Sequence, residues 1–365
     1  FNTYDKFLLP SITPVLLNIS LIGAALYSSG LSYMPIIALA YGVLIAGIVQ
    51  YSVQLPFLYK MNLLVAPKIN FEFSGVNKIL KLMLPAILGT AVVQINLVVD
   101  SIVASMLAPG SISWLYYSDR LVEFPLGIFG IAIATVILPV LSAKYSSKEI
   151  TSFKETISNS LKIVLIYSLP ATFGLILLSD HIIVSLFQYG NFDADDTSMS
   201  ALSLIAYSLG LPAFIMMKVL LTGFFSRQDT KTPVKYGLIA VIFNILMNTI
   251  VVFYYLSNPF TGAHAMLALA TSISAWIQVI LLYMHLNREN FVYSSNIFNK
   301  EPFMSMISCI IMFLILSSIM ISAADLAQKD YYMRGSFLGG YILIGSLVYI
   351  TSMYLFGYKF KRSLI

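Results

Sequence analysis

The sequence predicts an all-α, polytopic integral membrane protein of about ten transmembrane helices, and three observations predict it. Hydrophobic residues make up 59% of the 365 residues and charged ones only 10%, against roughly a quarter charged in an ordinary soluble domain. Apolar runs of about 20 residues recur along the whole length, each enough to cross a hydrocarbon core of about 30 Å as a helix. The runs are continuous, whereas a membrane barrel would show alternating segments of about 10 residues.

Taken in order, the predicted spans are Leu8 to Ser28, Met34 to Leu58, Ile79 to Ala108, Leu121 to Ala143 and Ile163 to Leu178. Five more follow: Ala201 to Gly223, Val234 to Leu256, Ala263 to Leu286, Met304 to Ala323 and Phe337 to Phe356. Pro85, Pro125, Pro170 and Pro212 fall inside them, where a missing N–H frees a carbonyl and bends a helix. The stretch Lys60 to Lys78 mixes Phe71 and Phe73 with lysines and reads as a surface connection joining two bundles. Gly127, Gly130, Ala132 and Ala134 read as positions of close helix packing. Phe1 stands where a methionine is usual, and the residues after it lack the order of a signal peptide, so the chain reads as starting internally with upstream helices missing.

Loop charge supports this count. Cytoplasmic loops are enriched in lysine and arginine, and one extra or missing span would scramble the alternation. Of the 21 basic residues, 17 fall on one predicted side, including Lys60, Lys148, Arg227, Lys300 and Lys361. The other side holds Arg120, Lys329 and Arg334 with the acidic group Asp193, Asp195 and Asp196, and Lys218 lies inside a span, where snorkelling toward the lysine-rich side accounts for it. The lysine-rich side is therefore expected to be cytoplasmic, with both chain ends on it. The net charge of +5 then reflects topology and anionic lipid, and nucleic acid is not an expected partner.

Several chemistries are excluded. Cys309 is the single cysteine, so no disulfide or thiolate metal site forms within the chain. His181, His264 and His285 are scattered near span ends without metal-ligand spacing and read as structural. Asp193, Asp195 and Asp196 read as a solvated loop.

Polar groups inside hydrocarbon are costly and face protein or water, so they carry the functional information. Asp119, Arg120 and Glu123 lie in Trp114-Leu-Tyr-Tyr-Ser-Asp-Arg-Leu-Val-Glu-Phe-Pro125, and helical spacing sets Glu123 beside the other two. A guanidinium held by acids could grip a phosphate bidentately, or the group could be a structural ion pair. Asp100, Asn248 and Thr271 each lie eight residues from the same predicted face, about 12 Å deep. With Asn244 one turn from Asn248, they form either an interhelical hydrogen-bond network or an oxygen set suited to a hard cation such as sodium.

Four blocks resemble the MurJ (MviN-type) lipid II flippases of the multidrug/oligosaccharidyl-lipid/polysaccharide exporter superfamily. They are Pro14-Val-Leu-Leu-Asn-Ile-Ser20, Tyr116 to Pro125 continuing through Gly127 to Thr135, Ser185-Leu-Phe-Gln-Tyr-Gly-Asn-Phe192, and Phe225-Ser-Arg-Gln-Asp-Thr-Lys-Thr-Pro-Val-Lys235. The resemblance implies the remainder of a fourteen-helix, two-lobe transporter. Residues 1–59 would be the last two helices of the N-terminal lobe, 60–78 an interlobe linker, 79–287 a six-helix C-terminal lobe, and 303–358 an extra pair forming a lipid-tail groove. It also implies that Arg120, Glu123 and Asp119, with Ser113 seven residues before the arginine, line the substrate cavity. Asp100, Asn244, Asn248 and Thr271, with the Leu267 backbone oxygen, match a sodium site described for some members.

The expected function is thus translocation of lipid II by alternating access across the bacterial cytoplasmic membrane, by a transporter and not an enzyme. Membrane lipids and the cell-wall synthesis machinery are expected partners, and sodium is the one candidate cofactor. The rivals are another exporter of the superfamily, carrying a different polyprenyl-linked oligosaccharide or a drug, and a membrane enzyme acting on polyprenyl phosphate.

Overall fold

The computed structural model describes residues 8–28, 35–64, 97–297 and 299–358. Residues 65–78 of the expected linker 60–78, the first part of the third span with Pro85, and both chain ends lie outside them. Contacts divide the chain into two units, Phe1–Lys81 and Leu82–Ile365.

In the first unit, α1 (Leu8–Ser28) and α2 (Pro35–Lys60) form an antiparallel hairpin. Both are apolar around most of their circumference, so shape and isolated polar bonds set their register. Ser20 Oγ donates to the Gly42 carbonyl at 2.7 Å, and Gln50 Nε2 to the Thr13 carbonyl at 3.1 Å.

The described part of the second unit opens with α3 (residues 97–105) and α4 (Ser111–Pro125). Pro125 ends α4, and the backbone continues through a π-helical segment, Leu126–Ile131, into α5 (Ala132–Ser146). The sequence predicts a bend at Pro125, and the structure supplies a widened turn there instead of a break. A Cβ on Gly130 would meet Ile215 Cα at 3.7 Å and Lys218 Cγ at 3.6 Å, so this glycine permits the close approach expected of it. Gly127, by contrast, faces open space.

Four helices follow: α6 (Ile150–Leu177), α7 (Ser179–Leu186), α8 (Ala194–Ser208) and α9 (Leu211–Phe225). The span predicted from Ile163 begins thirteen residues earlier, because the polar stretch after Ile150 is amphipathic and its Phe153, Ile157 and Leu161 are buried in the core. The predicted single span Ala201 to Gly223 is two helices, interrupted at Gly210 with Pro212 in the first turn of the second. Proline suits a first turn, where no intrahelical N–H bond is lost. Helix α9 is the axis of the unit: Leu211, Ala213, Ile215, Val219, Leu220 and Phe224 are all fully buried. A helix apolar all round finds that position because every face needs cover.

The remaining elements are α10 (Lys231–Ser257), α11 (Ala263–Arg288), α12 (Ser294–Ile297), α13 (Lys300–Ile319), α14 (Ala323–Ala327) and α15 (Tyr331–Leu355). The last pair packs on α6 through Ile166, Cys309, Met312 and Met353. Tyr349 donates to the Ile166 carbonyl at 2.7 Å in that seam. Among the described residues eight helices are long and apolar enough to cross a membrane, and Ile12–Ser28 within α1 adds a shorter apolar stretch. No described residue is in a strand.

Candidate functional site

Helix α4 is positioned at its start by Gly110, whose φ of 98° is a left-handed conformation that glycine adopts without strain. Trp114 Nε1 then donates to Asp196 Oδ1 at 2.7 Å, and Ser118 Oγ to the Ser200 carbonyl at 2.6 Å, fixing α4 against α8. Asp193 and Asp196 form a reciprocal capping box at the start of α8. The acids read as a solvated loop thus open a helix: Asp193 and Asp195 stay exposed, while the half-buried Asp196 both completes the cap and anchors a tryptophan.

With those sides buried, Ser113, Tyr116, Arg120 and Glu123 form one exposed stripe along α4. Arg120 Nη1 donates to Glu123 Oε2 at 2.5 Å, and both side chains are about half exposed, at 52% and 49%. The guanidinium lies over the Tyr116 ring, 4.9 Å from its centre. One amino group is thereby held, the ring packs against the guanidinium, and the other N–H donors have no acceptor among the described residues. Asp119 is turned partly inward from this stripe.

The second cluster lies where α3, α10 and α11 meet α4, above a floor of Ala104, Leu115, Val251, Val252 and Ala268. Asn248 and Asn244 are fully buried. Asn248 Nδ2 donates to Asp100 Oδ1 at 2.6 Å and to Asn244 Oδ1 at 3.0 Å. Asn244 Nδ2 in turn donates to Thr271 Oγ1 at 3.2 Å, and that hydroxyl donates to the Leu267 carbonyl at 3.1 Å. The structure therefore joins all five residues expected for a cation site into one chain of bonds. Its donors are a carboxylate, two amides, a hydroxyl and a carbonyl, the hard oxygen set that suits an alkali or alkaline-earth cation.

The two clusters are neighbours. Asp119 and Asp100 lie within electrostatic range of each other and of Tyr207 on α8. Sequence reasoning missed Tyr207, and also Tyr116, although an aromatic four residues before an arginine on a helix is a legible signal. The three histidines make structural contacts: His181 with the Ile321 carbonyl and Tyr341, His264 with the Met199 carbonyl and Trp114, and His285 with Tyr236, Phe224 and Glu289. Among the described residues no group of three His, Cys, Asp or Glu could hold a metal.

Polar side chains gathered on a polytopic helical bundle, some exposed and some closed on one another, define a multi-pass membrane protein. The family model described as "Lipid II flippase MurJ" matches residues 1–342. A Vibrio cholerae protein described as a probable lipid II flippase MurJ is 48% identical over 78% of this chain and 53% of its own length. Its Haemophilus influenzae counterpart is 38% identical over 98% of this chain and 70% of its own. A solved structure of "Lipid II flippase MurJ, inward closed conformation" superposes with a TM-score of 0.78 at 28% identity, covering 97% of this chain and 68% of that one. The chain belongs to the lipid II flippase MurJ family. It spans just over half the length of the Vibrio relative.

Proposed function

We propose that the protein carrying this chain translocates lipid II across the bacterial cytoplasmic membrane, from its inner to its outer face, as a transporter that performs no covalent chemistry. The observation that carries this reading is Arg120, oriented by Glu123 and Tyr116 on an exposed stripe of a family member. A pyrophosphate is bulky, anionic and costly to desolvate, and a planar guanidinium with spare N–H donors meets it bidentately. Ser113 adds a hydroxyl on the same face, and Asp119 and Glu123 bias the arginine's orientation. The polyprenyl tail needs no such site, because it stays in lipid.

A sodium ion at Asp100, Asn244, Asn248, Thr271 and the Leu267 carbonyl is the second part of the proposal. When bound, it would supply fixed positive charge beside Asp100 and link α3, α10 and α11. Its binding requires Asn248 to turn its amide oxygen inward, since its Nδ2 now faces Asp100.

The test is genetic and uses the full-length gene. Depleting a host's own lipid II flippase and supplying this gene should restore growth, and Arg120→Ala should abolish rescue at equal expression. Rescue that is unchanged by Arg120→Ala would remove this site assignment. For the ion, thermal stability in sodium should exceed that in potassium or choline, and Thr271→Val should erase the difference; equal stability in all three salts would remove the cation.

A further inference from the structure

A cavity of about 640 Å³ opens at the lysine-rich end of the second unit, between α6, the start of α13 and the end of α15. Its lining is mixed: Asn159, Lys162, Lys300 and Glu301 are polar, and Ile163, Met304 and Phe356 are apolar. This division fixes its depth. The apolar part of α6 begins at Ile163, directly after Lys162; Lys300 opens α13; and Phe356 directly follows the last residue of α15. Three helices thus change from polar to apolar at one level, which is the level of lipid head groups.

Two lysines against one glutamate leave the charge of the lining positive. Lys162, whose side chain is 17% exposed, bonds Glu301 at 2.8 Å and so ties α6 to α13. Lys300 is exposed and has no ion pair among the described residues. The first turn of α13, capped by Asn299, adds the partial positive charge of a helix N-terminus. The opposing carbonyls at the end of α15 are answered internally: Tyr358 N–H bonds the Met353 carbonyl at 2.9 Å, and Gly357 N–H the Tyr354 carbonyl at 2.9 Å.

We propose that this cavity seats the phosphodiester head group of an anionic glycerophospholipid of the surrounding membrane, with Lys300 and Lys162 on the phosphate and an acyl chain along Ile163 and Met304. Basic pockets between helices at the cytoplasmic face recognise lipid in this way. The bound lipid would bridge α6 to the last helix pair and compete with Glu301 for Lys162. The proposal stands independently of the transported substrate.

The experiment uses the full-length protein in detergent, with phosphatidylglycerol, phosphatidylcholine or inorganic phosphate added, and reads retained lipid by native mass spectrometry together with thermal stability. Phosphatidylglycerol should be retained preferentially and should raise stability. Lys300→Gln, at an exposed site that does not endanger folding, should weaken retention about fivefold, the equivalent of one basic residue at a membrane surface. Glu301→Gln should act oppositely and strengthen it, whereas a merely structural ion pair predicts lower stability and unchanged retention. Equal retention of the two lipids, indifference to Lys300→Gln, or the same stabilisation by inorganic phosphate alone would each overturn the proposal.

Discussion

Replacing Asn248 with leucine breaks the buried network while keeping the fork at Cγ; leucine is the bulkier side chain, so no cavity is opened and any overpacking only adds to the loss. The asparagine is fully buried on α10 and its Nδ2 serves two acceptors. The bond to the Asp100 carboxylate is charge-assisted and worth roughly 1.5–3 kcal/mol. The bond to Asn244 adds about 0.6 kcal/mol, the average for an interhelical bond in a membrane. The sum is a loss of about 2–3.5 kcal/mol. Equilibrium unfolding in mixed micelles, followed by the fluorescence of Trp114 and Trp276, measures it. The sign of a second change makes the test sharper. Asp100→Asn alone should cost about 1 kcal/mol by weakening the bond to Asn248. In the Asn248→Leu background the same change should be neutral or stabilising, because it removes a carboxylate that has lost its amide donor. A loss below about 0.5 kcal/mol for Asn248→Leu, or strict additivity of the pair, would refute the reasoning, given that coupled neighbours depart from additivity by at least that amount.

Gly110→Ala places a Cβ 2.5 Å from Trp114 Cζ2 at a φ of 98°, so it should cost at least about 1–2 kcal/mol for the left-handed backbone and shift tryptophan emission as the Asp196 bond breaks. Arg334 bonds the carbonyls of Val184 at 3.3 Å, Gln188 at 3.0 Å, Lys329 at 3.0 Å and Ala327, and stacks on Tyr189. Arg334→Ala should therefore cost roughly 2 kcal/mol or more and raise hydrogen exchange in α7 and α14 first. At the α9–α10 turn, burial works to raise the Asp229 pKa, but bonds from the Thr232 side chain and backbone, with Arg227 nearby, outweigh it and hold the carboxyl below its ordinary value. A lowered folded-state value means that the stabilisation is complete above the usual aspartate range, about pH 4, and is lost as pH falls through the folded value. Amide exchange in the first turn of α10 should accelerate across that acid window in the native protein, and Asp229→Asn should abolish the pH dependence.

The long apolar helices were largely legible in the sequence, because hydropathy varies along the chain and a helix converts residue count into distance at a fixed rise. That arithmetic also brought Asp100, Asn248 and Thr271 together, as the bonds among them bear out. The Arg120–Glu123 pair was legible too, being local to one helix. Rotation and neighbours were not legible, since nearly uniform apolar helices such as α9 and α10 give no stripe from which to read a facing side. The tertiary structure decided that Asn248 meets Asp100, that Pro125 opens into a π-helical turn, that Asp196 grips Trp114, and that Arg334 clasps four carbonyls. Each depends on packing between helices far apart in the chain, where close fit and the demand to satisfy every buried polar group select one arrangement among many that the apolar pattern permits.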